Sequence, residues 1–150
     1  MKVADIMRVK GGTLYTVSPD EKLQQAVQIM AQFDIGSLAV MEHGDLVGML
    51  TFREVIHTLA EKGGLSSLTV RGVMDDAPMS CTPETELNEV RPMMLQRHTR
   101  YMPVMDNKML MGVISFYDVA KAVVDSQNFE NKMLKAYIRD WPAEDEAASG

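Results

Sequence analysis

Two short segments of this chain combine a hydroxyl side chain and a carboxylate at one fixed spacing. Thr51 precedes Glu54 by three residues, and Ser115 precedes Asp118 by the same interval. In each segment the surrounding pattern places the hydroxyl where a strand gives way to a helix. Unpaired backbone N–H groups at a helix N-terminus favour a phosphate, the hydroxyl adds a donor, and the carboxylate can accept both hydrogens of a ribose diol. The motif therefore predicts two sites for a sugar phosphate.

A purely structural interpretation of the same residues is also open. Thr51 and Glu54 have the spacing of a capping box, in which both side chains only satisfy the first turn of their own helix. Asp118 is shorter than glutamate and suits a capping box less well, which favours ligand binding in the second segment. A glycine lies three residues before the hydroxyl in both segments, which favours the same interpretation.

Both motifs lie in a repeat that covers most of the chain. Moving residues 17–60 forward by 64 positions places them on residues 81–124 without a gap. Each copy is predicted to contain a strand, a helix, two strands that form a hairpin, and a second helix. Because a unit this short cannot bury its apolar face alone, we expect one pseudo-symmetric domain with clefts between its halves.

Local signals give the boundaries of these elements. Ser18 and Thr82 each precede a proline, which predicts the N-caps of the first helices. Pro92 should bend or weaken the first helix of copy two. The second helices are predicted over residues 52–62 and from 116 to about 125.

The C-terminal part is predicted to add one further helix, near residues 129–141. Its apolar stripe packs either on its own domain or on a second subunit; the stripe consists of Phe129, Met133, Tyr137 and Trp141. We accordingly divide the chain into repeat 1 (1–66), repeat 2 (67–126), a C-terminal helix (127–142) and a disordered acidic tail (143–150).

Composition excludes several classes of function. The 150 residues are 46% hydrophobic and 24% charged, as in a soluble globular domain. The net charge of −6 argues against nucleic acid as a partner, and no apolar run is long enough to cross a membrane. Cys81, the single cysteine, excludes an intrachain disulfide, and with the lack of a signal-peptide layout it predicts a cytoplasmic protein.

The sequence gives little support to catalysis. None of the three histidines has a cysteine or an acidic residue at metal-ligand spacing, so we expect no metal site. Phosphate loops of the Walker or dinucleotide type and nucleophile elbows are also missing from the sequence. We therefore expect a binding protein rather than an enzyme, without a catalytic cofactor.

The doubled motif, the repeat in register and the strand opening at 100–104 resemble a tandem pair of CBS (cystathionine β-synthase) domains, the Bateman module. This resemblance covers residues 3 to about 124. It implies a mixed α/β (α+β) fold with two β-α-β-β-α repeats related by a pseudo-two-fold axis. Proteins of this family bind adenosine nucleotides such as AMP, ADP or ATP, and sometimes NAD(H) or S-adenosylmethionine, in two clefts. Two such modules often associate, which implies a homodimer.

The resemblance also implies site residues, with each cleft combining the motif of one copy and strands of the other. For ribose and phosphate they are Thr51, Arg53, Glu54, Arg100, Ser115, Tyr117 and Asp118. For the base pocket they are Thr16, Val17, Ser37, Leu38, Ser80, Cys81, Tyr101 and Pro103. Arg53 and Arg100 are open to a second interpretation, as solvated surface residues.

Two departures from the family pattern predict unequal clefts. Glu54 replaces the usual aspartate, and the first copy lacks the basic residue and the proline of residues 100–103. We expect the Asp118 cleft to bind ribose better, and the Arg53/Arg100 cleft to favour a more negative ligand. The leading hypothesis is an adenine-nucleotide sensor that acts on an unidentified regulated protein. The alternatives are a ligand-free dimerisation module, a sensor of S-adenosylmethionine, and a redox sensor that binds NAD(H).

Overall fold

The computed structural model describes residues 1–139. The elements in chain order are α1 (Val3–Lys10), β1 (Thr16–Val17), α2 (Leu23–Phe33), β2 (Ser37–Glu42), β3 (Asp45–Thr51), α3 (Phe52–Lys62), α4 (Val70–Val73), α5 (Leu87–Arg97), β4 (Tyr101–Asp106), β5 (Met109–Ser115) and α6 (Phe116–Arg139). The acidic tail predicted at 143–150 lies outside the described residues, as do Trp141 and the end of the C-terminal helix predicted at 127–142.

The two hairpins repeat each other in register. β2 pairs antiparallel with β3 so that Val40 faces Gly48, and β4 pairs with β5 so that Val104 faces Gly112. Both hairpins have an irregularity at the next residue of the first strand. β1 adds a parallel strand beside β2, whereas in the second copy the corresponding pairing is one bridge from Cys81 to Val104. The predicted mixed α/β fold with two repeats is confirmed.

The hydrophobic cores do not follow the order of the chain, because each half receives a helix from the segment that precedes the other half. Val3 and Ile6 of α1 are buried in the core formed by α5, β4, β5 and α6. Val70 of α4 is buried in the core formed by α2, β2, β3 and α3. Burial of apolar surface drives both contacts, at about 25 cal/mol per Å². The exchange brings the C-terminal end of α1 to the second motif.

The predicted N-caps at Ser18 and Thr82 are wrong. The helices begin later, at Leu23 and Leu87, and the residues between form turns. The cause is pairing with the exchanged segments: the Leu23 N–H donates to the Leu68 carbonyl, and the Leu87 N–H donates to the Met1 carbonyl. Lys22 and Glu86, directly before the two helices, are extended, so each helix starts later than the local signal predicts.

The predicted break after residue 125 is also wrong. α6 runs without interruption from Phe116 to Arg139, joining the second helix of copy two to the predicted C-terminal helix. No glycine or proline occurs between Phe116 and Arg139, so the chain has no local reason to stop. α5 likewise continues through Pro92. α3 has the predicted bounds, and Gly63, which follows its last residue, has a φ of 73°.

Candidate functional site

The second hydroxyl-carboxylate motif connects β5 to α6 and is held by the exchanged helix. The Ser115 N–H donates to Asp118 Oδ2 at 2.8 Å, and the Asp118 N–H donates to Ser115 Oγ at 3.1 Å. The ammonium of Lys10, the last residue of α1, donates to the same Oδ2 at 2.7 Å and to the Val113 carbonyl at 2.8 Å. Asp118 therefore caps its own helix as well as glutamate would, contrary to the sequence-based expectation.

Lys10 and Ser115 both favour the ionised form of Asp118. Burial by itself would raise the pKa of Asp118, but the hydrogen bond from Lys10, the Ser115 N–H and the Lys10 charge together hold that pKa below its ordinary value of 3.8. Two hydrogen bonds reach the carboxylate, from the Lys10 ammonium and from the Ser115 N–H, and both end at Oδ2. An ionised carboxylate can accept hydrogen bonds from a hydroxyl group.

The first motif connects β3 to α3 and forms a complete capping box. Glu54 Oε1 accepts hydrogen bonds from the Thr51 N–H at 2.8 Å and the Thr51 hydroxyl at 2.9 Å, and the Arg53 N–H donates to Thr51 Oγ1 at 3.2 Å. Burial raises the pKa of Glu54 above 4.5, and the charge of Asp75 raises it further, against the effect of the Thr51 hydrogen bonds.

The two motifs differ most in the group that the exchanged segment supplies. The Met49 carbonyl accepts a hydrogen bond from the Asp75 N–H at 2.9 Å. The equivalent carbonyl, 64 residues later at Val113, accepts from the Lys10 ammonium instead. Hence a carboxylate neighbours Glu54 in the first half, and a cation neighbours Asp118 in the second.

Two open cavities lie between the halves, one at each motif. The first, which we call the Thr51 cleft, has a volume of about 810 Å³. Its wall includes Thr51, Phe52, Arg53, Glu54, Ile56, His57, Asp75, Pro78, Arg97, His98, Thr99, Arg100, Tyr101 and Phe116. Three arginines against two carboxylates give this wall a positive balance.

The second, the Ser115 cleft, has a volume of about 900 Å³. Its wall includes Lys10, Thr13, Leu14, Tyr15, Ile35, Gly36, Ser37, Arg100, Tyr101, Val113, Ser115, Phe116, Tyr117 and Ala120. Lys10 and Arg100 are its charged members, and Lys10 is already paired with Asp118. Both volumes fall in the range of small-molecule sites, roughly 300–1,000 Å³.

Comparison with known proteins identifies the family. The sequence model of the CBS domain matches residues 3–61 and 70–125. The chain belongs to the CBS domain family. A curated relative, the mitochondrial CBS domain-containing protein CBSX3 of Arabidopsis thaliana, is 29% identical over 147 residues, covering 91% of this chain and 71% of CBSX3. The family assignment made from the sequence is confirmed.

Solved structures of CBS domains share the fold. The CBS domain protein NE2398 matches with a TM-score of 0.79 and 25% identity over 83% of this chain and 98% of that one. CBSX2, solved in complex with AMP, matches with a TM-score of 0.71 and 22% identity over 84% and 98%. The CBS domain pair of MJ0100, solved with 5′-methylthioadenosine and S-adenosyl-L-methionine, matches with a TM-score of 0.73 and 20% identity over 84% and 98%.

The structure brings many of the sequence-derived candidates to the two walls. Those on the Thr51 cleft are Thr51, Arg53, Glu54, Arg100 and Tyr101. Those on the Ser115 cleft are Ser37, Ser115, Tyr117, Arg100 and Tyr101. Asp118 is not among the residues that line either cleft, and its carboxylate accepts a hydrogen bond from Lys10. Each CBS motif therefore faces a cleft that includes residues of the other half.

The remaining base-pocket candidates lie elsewhere. Val17, Leu38, Cys81 and Pro103 are buried, the first three as members of the hydrophobic cores. Thr16 and Ser80 are exposed beside these strands, outside the residues that line either cleft. Burial also raises the pKa of the Cys81 thiol to about 12. A strand that covers a core points alternate side chains away from the cleft, so sequence proximity to the cleft was a poor guide.

Several wall residues were missed from the sequence. Lys10 is the most informative, since it reaches the second motif from 108 residues away along the chain. The similarity of residues 3–7 to residues 70–74 was a signal that both segments play one role, but it did not reveal that each packs on the opposite half. Gly36 and Arg97 were missed because a glycine and a helix-end arginine carry no distinctive pattern.

Metal-binding groups and membrane-spanning helices are both missing from the described part of the chain. Within residues 1–139, histidine, cysteine, aspartate and glutamate do not form any group of three or more that could hold a metal ion. No helix in that range is both long and apolar enough to cross a membrane.

Proposed function

We propose that this CBS pair is a regulatory module that binds an adenosine ligand, AMP, ADP, ATP or NAD(H), in the clefts between its halves. The observation that carries the proposal is the presence of an open cavity at both hydroxyl-carboxylate motifs, each walled by residues of both halves. A ligand that contacts both halves can bias their packing, by no more than its difference in affinity for the two arrangements. We propose no catalytic role and a cytoplasmic location.

The Thr51 cleft suits the more negatively charged ligand. Arg53, Arg97 and Arg100 lie on its wall, and guanidinium groups pair with phosphate oxygens through two parallel hydrogen bonds. In the Ser115 cleft the neighbouring cation, Lys10, is already paired with Asp118, which leaves Arg100 as the cation available to a phosphate there. We therefore expect the triphosphate of ATP to prefer the Thr51 cleft.

A ligand-free dimerisation module is the second candidate, and two observations favour it. Both carboxylates are turned towards the backbone of their own helix, where they act as caps. Large apolar side chains are also exposed on the helices: Ile56 is 61% exposed, Phe129 64% and Met133 58%. Phe129 and Met133 therefore do not pack on their own domain, and we propose that they contribute to a homodimer.

A thermal-unfolding screen separates these functions. The wild type is heated with AMP, ATP, NADH or S-adenosylmethionine at about 100 times the dissociation constant, where one bound ligand adds about 2.7 kcal/mol. For a chain of this size that corresponds to a rise in Tm of roughly 5–10 °C. Asp118→Asn should reduce the rise produced by AMP, and Asp125→Asn, an exposed aspartate two turns further along α6, should leave it unchanged.

The outcomes distinguish the candidates. Stabilisation by one of these ligands that depends on Asp118 supports a sensor, and the identity of that ligand names its class. Discrimination between NADH and NAD⁺ in the same assay would favour the redox sensor. If all four ligands leave Tm unchanged while sedimentation gives a dimer, the module serves association alone.

A further inference from the structure

The two clefts share part of one wall. Arg100, Tyr101 and Phe116 line both the Thr51 cleft and the Ser115 cleft, so these side chains form a partition between the two cavities. The backbone of this partition is fixed, because the Phe116 N–H donates to the Arg100 carbonyl at 2.7 Å. The Arg100 side chain itself is exposed and is free of the ion pairs found among residues 1–139.

The partition is built by one copy only. The residue 64 positions before Arg100 is Gly36, which has no side chain to contribute to it. Tyr101 fills that space: a Cβ atom added to Gly36 would lie 1.8 Å from the Tyr101 hydroxyl. The pseudo-two-fold arrangement therefore has one guanidinium at this position where two equal copies would have two.

The clefts depend on that guanidinium to different degrees. The Thr51 cleft has Arg53 and Arg97 of its own, whereas the ammonium of Lys10 in the Ser115 cleft is already held by Asp118 and the Val113 carbonyl. A phosphate in the Ser115 cleft would need the Arg100 guanidinium. A second phosphate in the Thr51 cleft would compete with it for the same guanidinium.

We propose, on the basis of the proposed function, that Arg100 couples the two clefts negatively for ligands that carry a phosphate. A guanidinium that pairs with a phosphate in one cleft is withdrawn from the other, so the second phosphate binds without it. A nucleoside, which has no phosphate, makes no such demand and fills both clefts independently. The module thus responds to the first phosphorylated ligand and resists the second.

Calorimetric titrations with AMP and with adenosine test this proposal. Ile56 and Ala120 are a matched pair, exposed and 64 residues apart, and they line the Thr51 cleft and the Ser115 cleft respectively. Ile56→Trp is designed to close the Thr51 cleft and Ala120→Trp the Ser115 cleft, so each variant gives the AMP affinity of the cleft that stays open. Circular dichroism checks that each variant is folded. In the wild type, we expect the second AMP to bind about tenfold more weakly than its cleft does alone, within the usual range of coupling between sites.

The controls isolate Arg100. With adenosine, the wild-type titration should equal the sum of the two single-cleft titrations. Arg100→Ala should weaken the first AMP and remove the coupling, whereas Arg97→Ala, which changes the Thr51 cleft only, should retain it.

Four results would overturn the coupling. Wild-type AMP titrations that equal the sum of the single-cleft titrations would show independent clefts. Coupling that persists in Arg100→Ala, or that appears equally with adenosine, would assign it to another cause. Absence of binding by both AMP and adenosine would overturn the proposed function and the coupling with it.

Discussion

Replacing Lys10 by methionine should destabilise the protein, because the Lys10–Asp118 pair is partly buried. Lys10 Nζ and Asp118 Oδ2 are 2.7 Å apart, and the two side chains are 36% and 17% exposed, respectively. Coulomb attraction at that distance is about 6 kcal/mol for an effective dielectric constant of ~20, and about 1.5 kcal/mol in bulk water. Desolvation and the ordering of the lysine offset much of it, so we expect a net loss of about 1–2 kcal/mol. That corresponds to a fall in Tm of about 2–8 °C.

Lys2→Met is the matched control. Lys2 flanks the same helix and pairs with Glu84 at 2.8 Å, nearly the same distance, but the two side chains are 48% and 75% exposed. An exposed pair of this kind contributes little to stability, so this variant should unfold at the wild-type temperature. Equal effects of the two substitutions would refute the assignment of the larger stabilisation to burial.

The pH dependence gives an independent check of Lys10→Met. The pKa of Asp118 is lowered in the folded state. The ionised carboxylate therefore stabilises the fold at pH values above 3.8, its ordinary pKa, and this stabilisation is lost as the pH falls through the lowered pKa. The difference in Tm between wild type and variant should therefore be full at pH values well above 3.8 and disappear in stronger acid. A difference that stays constant across this range would mean that the Asp118 charge is not involved.

Three further substitutions and one chemical test follow from the same structure. Gly36→Ala should lower the free energy of unfolding by about 1–3 kcal/mol, because the added Cβ collides with Tyr101. Gly12→Ala is the control, since a Cβ there has nothing within 4 Å and should not destabilise the protein in this way. Thermal unfolding of both variants checks this. Cys81, buried and with a pKa of about 12, should react with a thiol reagent at mildly alkaline pH only as fast as the protein unfolds. Because the pKa of Glu54 is raised above 4.5 in the folded state, the wild type should become more stable as the pH falls through that raised pKa. Glu54→Gln should remove this gain, as measured by denaturant unfolding.

Elements defined by short-range signals could be predicted from the sequence. The bounds of α3 were predicted correctly because a cap at Thr51 and a glycine at residue 63 lie directly at its ends. The helix starts at Leu23 and Leu87 could not be predicted in this way, because a distant strand-like segment takes the backbone hydrogen bonds there. Local propensity is a weak prior that tertiary pairing overrides.

The candidate site shows the same limit. The positions of Thr51 and Ser115 follow from the repeat, since each ends a strand and begins a helix. Lys10 could not be placed beside Asp118 without knowing that α1 crosses to the other half. The exchange of segments is a property of three-dimensional packing, and nothing in the spacing of the repeat indicates which half receives each segment.

Residues at positions 64 apart differ in a way that bears on function. A Cβ added to Gly48 would lie 2.7 Å from the Asp75 carbonyl oxygen, and one added to Gly112 would lie 2.8 Å from the terminal methyl of Met7, which can move aside more easily. At two pairs of positions that line the clefts the copies differ in charge, as Arg53 against Tyr117 and Arg100 against Gly36. A ligand that distinguishes the halves can shift their packing in one direction, whereas two equal clefts would respond alike. Equal affinity of the two single-cleft variants for ATP would therefore contradict a role for these charges in binding.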